Sequence, residues 1–303
     1  MQTPLVSVVI ATYNREDLLC ASVGDVLGLD PPDASSFEVL VVDQSESHGP
    51  STEKQLETWH QSGAIRWIKT SPPGLTRARN LGIRQARGEF LIFIDDDVRI
   101  ETPSFLNAHV QALSRPGIGG VAGRIIVPDE PLLTVTRNIG DLGFFGTREP
   151  GFGSDWSGPT ATVRGCNMSF RREVLQAMGG FDERYTRSAF REDTDISYRL
   201  RRHHYQLWFA HDAWLYHLSA VEGGTRDRSI PVFEDLILND VRFARRNLSQ
   251  WQQVAWLARI YGSRVIKASL YGGRWKERHG AYRQSLDIVR AEGEWNDPGG
   301  FDR

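Results

Sequence analysis

Unbroken apolar runs punctuate the first half of the chain. Val6-Ser7-Val8-Val9-Ile10-Ala11, Phe37-Glu38-Val39-Leu40-Val41-Val42 and Phe90-Leu91-Ile92-Phe93-Ile94 show little polar alternation. They read as strands covered on both faces, as in a sheet sandwiched between helices. Between them the period lengthens. Glu16 to Leu29 carries Leu18, Leu19, Val23, Val26 and Leu27 at helical spacing, with Pro31 and Pro32 beyond its end. Ser51 to His60 predicts a second helix and Ile65 to Ile68 a short third strand. Gly74 to Arg87 predicts a third helix, stopped by Gly88. Strands alternating with helices imply parallel pairing with right-handed crossovers, hence a doubly wound α/β sheet.

Further on, Pro103 to Ser114 predicts a helix and Val121 to Val127 a strand. From Pro128 to Thr162 periodicity dissolves into prolines and glycines around Phe144, Phe145, Phe152 and Trp156, a loop long enough to suggest a binding surface. Arg171 to Met178 and Thr194 to His203 predict helices. Gln206–Ala210 and Ala213–His217 predict two short strands, and the chain from about Ile230 reads as helical. The expected organisation is a catalytic unit over 1–229, divided near 127/128, and a helical extension over 230–303.

Composition narrows the class. The 303 residues are 40% hydrophobic and 24% charged, which suits a globular protein with a large core. Two cysteines, Cys20 and Cys166, make neither a disulfide framework nor a metal-site spacing, so a reducing, cytoplasmic setting is expected. No signal peptide and no membrane-spanning apolar run is evident. The net charge of −2 hides an asymmetry. Between Val241 and Leu286 ten Lys or Arg face a single acid, Glu277, and aromatic residues interleave with them. That segment is open to two readings: a bundle packed on the core with its basic side solvated, or a peripheral contact with an anionic membrane face. Nothing in the pattern points to nucleic acid as a partner.

The candidate chemistry lies where the central strand ends. Phe90–Ile94 runs straight into Asp95-Asp96-Asp97. Three adjacent carboxylates repel one another and raise one another's pKa unless a cation sits among them. Hard oxygen ligands suit Mg²⁺ or Mn²⁺, and ligands of open α/β sheets gather at the strands' carboxyl ends.

These acids belong to a larger set. Ser7 to Arg15, Val41-Val42-Asp43, Thr76-Arg77-Ala78-Arg79-Asn80-Leu81-Gly82, Asp95-Asp96-Asp97, Gly165-Cys166-Asn167-Met168-Ser169 and Glu192-Asp193 occur in that order across residues 5–220. Together they resemble the family 2 glycosyltransferases of GT-A fold. The resemblance implies an inverting, non-processive enzyme that moves one sugar from a nucleotide-diphosphate donor to a hydroxyl of a saccharide or lipid-linked saccharide, in surface polysaccharide or glycoconjugate assembly. It implies donor contacts from Thr12, Tyr13, Asp43, Arg77, Asp95 and Asp96. It places a divalent metal on Asp97 and His217, the general base at Asp193, and the acceptor near Trp156, Cys166, Asn167 and Glu192. The Gln-x-x-Arg-Trp signature of processive members is absent from the sequence.

Each role has a plainer counterpart. Asp43 also suits a turn after a strand, His217 a packed strand end, and Glu192-Asp193 a favourable start to a helix. Arg79 and Asn80 read as structural, Arg79 as an ion-pair partner of one of the acids. Two rival activities are weaker. A dinucleotide fingerprint would follow a strand, whereas Gly117-x-Gly119-x-x-Ala122 precedes one. A sugar-phosphate nucleotidyltransferase would carry a Gly-rich first loop where Thr12-Tyr13-Asn14-Arg15 stands. A non-catalytic sugar-nucleotide-binding protein is the remaining alternative.

Overall fold

The structure, a computed structural model, describes residues 3–32, 36–128, 139–141, 151–219, 223–224 and 232–293. The boundary expected at 229/230 and two aromatics of the long loop, Phe144 and Phe145, lie outside those residues.

Four apolar runs form the parallel half of a single sheet: β1 (Val6–Thr12), β2 (Phe37–Asp43), β3 (Arg66–Lys69) and β4 (Phe90–Ile94). β1 lies between β2 and β4, pairing Thr12 with Asp43 on one side and Ile10 with Ile94 on the other. The sheet continues through β5 (Val98–Arg99), β6 (Ile118–Ile126), β7 (Gly158–Thr160), β8 (Asn167–Arg171) and β9 (Gln206–His217), in the order β3-β2-β1-β4-β8-β6-β9-β5, with β7 on β9. β8 is antiparallel to both β4 and β6, so β6 and β9 regain the direction of β4 and the sheet stays mostly parallel.

Helices cover both faces. Phe90, Ile92 and Ile94 point into one core with residues of α1 (Asp17–Leu27), α2 (Pro50–Gln61) and α4 (Phe105–Leu113). Leu91 and Phe93 point into the other, with α3 (Leu75–Gln85), α5 (Arg172–Ala177) and α6 (Glu192–Arg202). The strand's alternation is therefore present but invisible in hydrophobicity, since each side meets a core.

Two details depart from the sequence reading. The long loop contains β7, too short at three residues to register as a pattern. The two strands expected at 206–210 and 213–217 are one strand. Its pairing with β6 jumps from Gly123–Ala210 to Arg124–Trp214, and the bulged His211-Asp212-Ala213 interrupts the apolar pattern without ending the strand. The segment Gly165–Ser169 also runs into β8 from Asn167 onward.

The C-terminal extension is a helical bundle with its own core. It comprises α7 (Val232–Asn247), α8 (Gln250–Ile260), a π-helical continuation over Tyr261–Lys267, α9 (Ala268–Gly272) and α10 (Trp275–Ala291). Ile237, Val241, Phe243, Trp256, Ile260 and Val265 are buried within it. Tyr198 of α6 meets Phe243 edge-on at 5.0 Å, which seats the bundle on the catalytic unit. Among the described residues no helix is long and apolar enough to cross a membrane.

Two glycines separate packing from propensity. A Cβ on Gly88 would lie 2.6 Å from the backbone nitrogen of Ser7 and 2.7 Å from the carbonyl carbon of Val6, while one on Gly280 in α10 meets nothing within 4 Å. Gly88→Ala is expected to destabilise the protein by about 1–3 kcal/mol through overpacking. Gly280→Ala is expected to stabilise it by about 0.5–1 kcal/mol. Urea unfolding midpoints of the two variants read the opposite signs.

Candidate active site

The triple acid does not behave as one unit, because successive residues turn to different sides. Asp96 turns inward and is buried, accepting a 2.7 Å hydrogen bond from the Thr12 hydroxyl. Burial pushes its carboxyl up to about 7, against the pull of Thr12 and of Arg15. Asp95 and Asp97 face His217, whose Nε2 lies 3.7 Å from Asp95 Oδ2 and 3.4 Å from Asp97 Oδ1. That approach is set by the sheet. β5 pairs antiparallel with β9 so that Val98 faces His217, and the Leu218 amide donates to the Asp97 carbonyl at 2.9 Å. The other ring nitrogen, Nδ1, lies 3.2 Å from the Ser219 hydroxyl, which leaves Nε2 turned to the acids.

Two buried arginines sit among the acids. Arg15, at the end of the β1 loop, reaches Asp96 at 3.4 Å and Asp97 at 3.3 Å. Arg79, on α3, donates to Asp95 at 3.2 Å, to the Gly165 carbonyl at 2.9 Å and to Glu192. Burial pushes the Glu192 carboxyl up to about 8, with the Arg79 guanidinium pulling the other way. Arg79 thus ties together the end of β4, the turn before β8 and the start of α6.

Asp193 follows from that tie. Its Oδ2 accepts the Gly165 amide at 3.1 Å and its Oδ1 the Thr194 amide at 2.6 Å. It therefore sits in the positive field at the head of α6. The Thr194 hydroxyl also donates to Oδ1 at 3.2 Å, and since a carboxylate offers about four acceptor positions, these three donors leave room for a substrate hydroxyl. The loop leading into α6 is held from the bundle. Asp240 of α7 bonds Arg191 at 3.0 Å, and Asp235 bonds Ser188.

Part of this set opens onto one cleft of about 500 Å³, with Asp96, Asp97 and Arg15 buried behind its wall. Asp95, His217, Arg79, Cys166, Glu192 and Asp193 all line it, along with Phe152, Arg164 and the 188–191 loop. Carboxylate oxygens and one imidazole nitrogen within reach of each other suit a hard divalent cation. Asp95, Cys166 and His217 could together hold an ion. Desolvation and the neighbouring carboxylates push the Cys166 thiol up, so it stays protonated and oxygen and imidazole ligands remain the natural set.

Other expected residues lie elsewhere. Asn167 is fully buried, its amide donating to the Arg124 and Ala213 carbonyls and its oxygen facing His109. It is a buried clamp between strands, bonded to the Arg124 and Ala213 carbonyls and to His109, and it does not line the cleft. Trp156 covers Gly158 and packs against the second core, while Phe152 takes the position at the cleft wall. Arg77 turns outward to the Pro72 and Pro73 carbonyls. Thr12 is occupied with Asp96, and Tyr13 is half-buried beside it. Asp43 is fully buried and engaged by the Ser45 amide, His48, the Trp67 indole and Lys69.

The family model of glycosyl transferase family 2 matches residues 7–179. The chain belongs to that family. The O-antigen biosynthesis protein RfbC of Myxococcus xanthus is 28% identical over 193 residues, which are 60% of this chain and 15% of that protein. The chain thus spans a small part of that relative's length. The fold is shared with two solved glycosyltransferases. TarS 1–349 of S. aureus in complex with UDP-GlcNAc has TM-score 0.64 at 19% identity, over 94% of this chain and 83% of that one. The mannosyltransferase PcManGT from Pyrobaculum calidifontis, in complex with GDP-Man and Mn²⁺, has TM-score 0.57 at 18% identity, over 96% and 85%.

Within this family 2 member, the sequence reading overlooked Arg15, Arg164 and the 188–191 loop as parts of the site. Arg15 stood inside a quoted block, yet its approach to acids some eighty positions away is a product of the β1–β4 pairing. Arg164 and the loop lie in stretches without periodicity; the bridge to Asn167 and the Phe152 ring position the first, and α7 the second.

Asp43 supplies a pH test. Burial pushes its carboxyl up, but the Ser45, Lys69 and Trp67 donors outweigh that and hold it below the usual 3.8. A depressed carboxyl stabilises the fold at pH above the unfolded value, and the contribution fades as pH falls through the folded one. Asp43→Asn is therefore expected to unfold at lower urea than wild type at pH 7. That gap should narrow once the pH drops below the unfolded value of about 3.8, as midpoints measured down to pH 3 will read.

Proposed function

We propose that the protein is an inverting glycosyltransferase that moves one sugar per binding event from a nucleotide-diphosphate sugar to an acceptor hydroxyl. The observation that carries this reading is the shared cleft of Asp95, His217 and Asp193, where a cation-binding edge and a separate carboxylate face the same space. Family membership and the nucleotide sugars bound by TarS and PcManGT support it. Asp97 and His217, with Asp95 beside them, would hold a divalent ion, Mn²⁺ or Mg²⁺, which would supply positive charge for a departing diphosphate. Donor contacts are assigned to Thr12, Tyr13, Asp43, Arg77, Asp95 and Asp96. For Asp43 this requires the nucleoside to share a carboxylate already bonded by Lys69, His48 and Trp67.

Asp193 takes the proton of the acceptor hydroxyl as that oxygen bonds to the anomeric carbon and the diphosphate leaves. The Gly165 and Thr194 amides keep its oxygens aimed into the cleft. Arg79 holds Glu192 and Asp95 apart from the reacting hydroxyl by engaging both. Direct attack of the acceptor oxygen on the anomeric carbon, with Asp193 as the base, gives inversion. The acceptor is assigned to the wall built by Phe152, Cys166, Glu192 and the 188–191 loop, and is a saccharide or lipid-linked saccharide of surface polysaccharide assembly. The setting is cytoplasmic.

Asp193→Asn is expected to lower transfer by about 10²–10⁴ while leaving the thermal shift caused by the donor unchanged. Screening sugar nucleotides with and without Mn²⁺ identifies the donor, and product stereochemistry by NMR reads inversion. Transfer at the wild-type rate by Asp193→Asn overturns the assignment of the base. Donor binding without turnover in wild type favours the non-catalytic binder.

A peripheral membrane contact belongs to the same reading, on one observation. The large hydrophobic side chains exposed among the described residues all lie in the C-terminal bundle, with Trp251, Leu270 and Tyr271 at 84%, 78% and 86% exposure. Apolar tips beside basic residues suit an anionic leaflet carrying a lipid-linked acceptor. Full-length protein should co-sediment with anionic vesicles, and the combined Trp251→Ser, Leu270→Ser and Tyr271→Ser variant should stay in solution. Equal sedimentation of the two removes the contact.

A further inference from the structure

A second cavity, of about 790 Å³, lies away from the catalytic cleft where the end of α6 meets α7, α8 and α10. Its charged lining is lopsided: Arg184, Arg202, Arg242, Arg245, Arg246 and Arg290, against the single carboxylate of Glu292. The guanidiniums come from four places in the sequence, Arg184 standing between α5 and α6, so no one helix face explains them. Arg202 ends α6, Arg242, Arg245 and Arg246 occupy the last turns of α7, and Arg290 stands near the end of α10.

The floor and the rim differ. On the floor, Arg242 is buried and bonds Glu292 and the Asn239 side chain. Arg246 reaches Asp182 at 2.7 Å and Asp195 at 2.9 Å. Arg184 grips Asp182 with two nitrogens. These ion pairs fix the floor. Around the rim Arg202, Arg245 and Arg290 are exposed, and among the described residues no carboxylate lies within ion-pair distance of them. Arg202 spends one nitrogen on the Arg246 carbonyl. Burial pulls the Arg246 guanidinium down to about 10, with Asp195 and Asp182 pulling the other way.

Converging guanidinium forks over a cavity of this size match the oxygens of linked phosphates better than one small anion. We propose that this cavity is a second, non-catalytic site for a phosphate-bearing ligand of at least two negative charges. Arg202, Arg245 and Arg290 close on the phosphates and the ion-paired floor sets their depth. The proposal stands independently of the reading of the catalytic cleft. Such a phosphate can be a soluble diphosphate or the headgroup of a membrane lipid.

The test uses the full chain with inorganic pyrophosphate as the probe. Calorimetry is run with a chelator, to suppress a metal-dependent diphosphate site, and at 150 mM salt, to screen diffuse attraction. Wild type is expected to bind one pyrophosphate. The double variant Arg245→Ala, Arg290→Ala, altered only at exposed side chains, is expected to bind at least tenfold more weakly with an unchanged unfolding midpoint. Arg164→Ala, in the catalytic cleft, is expected to bind like wild type. Equal binding by wild type and the double variant, loss in Arg164→Ala, or no binding by wild type overturns the proposal. Phosphatidic acid vesicles distinguish the sources. Retention of wild type over the double variant, reversed by pyrophosphate, assigns the ligand to a lipid headgroup, and equal retention of the two assigns it to a soluble diphosphate.

Discussion

The Arg79 guanidinium is the constraint around which the catalytic face is arranged. One buried cation on α3 reaches the end of the central strand at Asp95, the turn before β8 at Gly165, and the first residue of α6 at Glu192. Placing three carboxylates near one another in a half-buried cleft is costly unless a positive charge is fixed among them. Removing Arg79 would take away the guanidinium that pulls the buried Glu192 carboxyl down, leaving that acid protonated and without its donor. It would also release the turn whose Gly165 amide orients Asp193. The packing of this face and the orientation of Asp193 therefore share one side chain.

A division of labour among the acids follows. Asp96, buried against Thr12, ties β1 to β4. Asp95, half-buried, and Asp97, buried, face the end of β9, which delivers His217 to them through its pairing with β5. The imidazole belongs to a strand continuous with the sheet interior, so its position is fixed by backbone hydrogen bonds more than by its own contacts. Arg15 and Arg79 then neutralise the acids from opposite sides. The surplus of carboxylates on the cleft edge still favours a cation, whereas the junction of α6 with the bundle has the reverse surplus.

Much of this was legible in the residues. The buried strands announce themselves because both sheet faces are covered, and the acids sit where a parallel sheet presents its ligands. Arg79 could be read as an ion-pair partner of one of the acids, since clustered carboxylates call for a cation among them. What the sequence could not convey depends on tertiary pairing. Asn167 looks like an acceptor contact until β8 slots between β4 and β6 and consumes its amide. Asp43 looks like a free carboxylate at a strand end until Lys69, Trp67 and His48 close around it. β7 is too short to register, and the bulge in β9 splits one strand into two apparent ones. The 188–191 loop has no pattern of its own, since its shape is imposed from α7.

That imposed shape bears on how such enzymes can be recombined. Asp235 and Asp240 reach across from α7 to grip Ser188 and Arg191, which stand immediately before the paired acids of α6. The terminal bundle is consequently part of the catalytic wall, although forty or more positions separate the two in the chain. A chimera that grafts the last helices of one relative onto the sheet of another would mismatch this grip. A workable crossover point would lie upstream of residue 188, so that loop and bundle travel as one cassette.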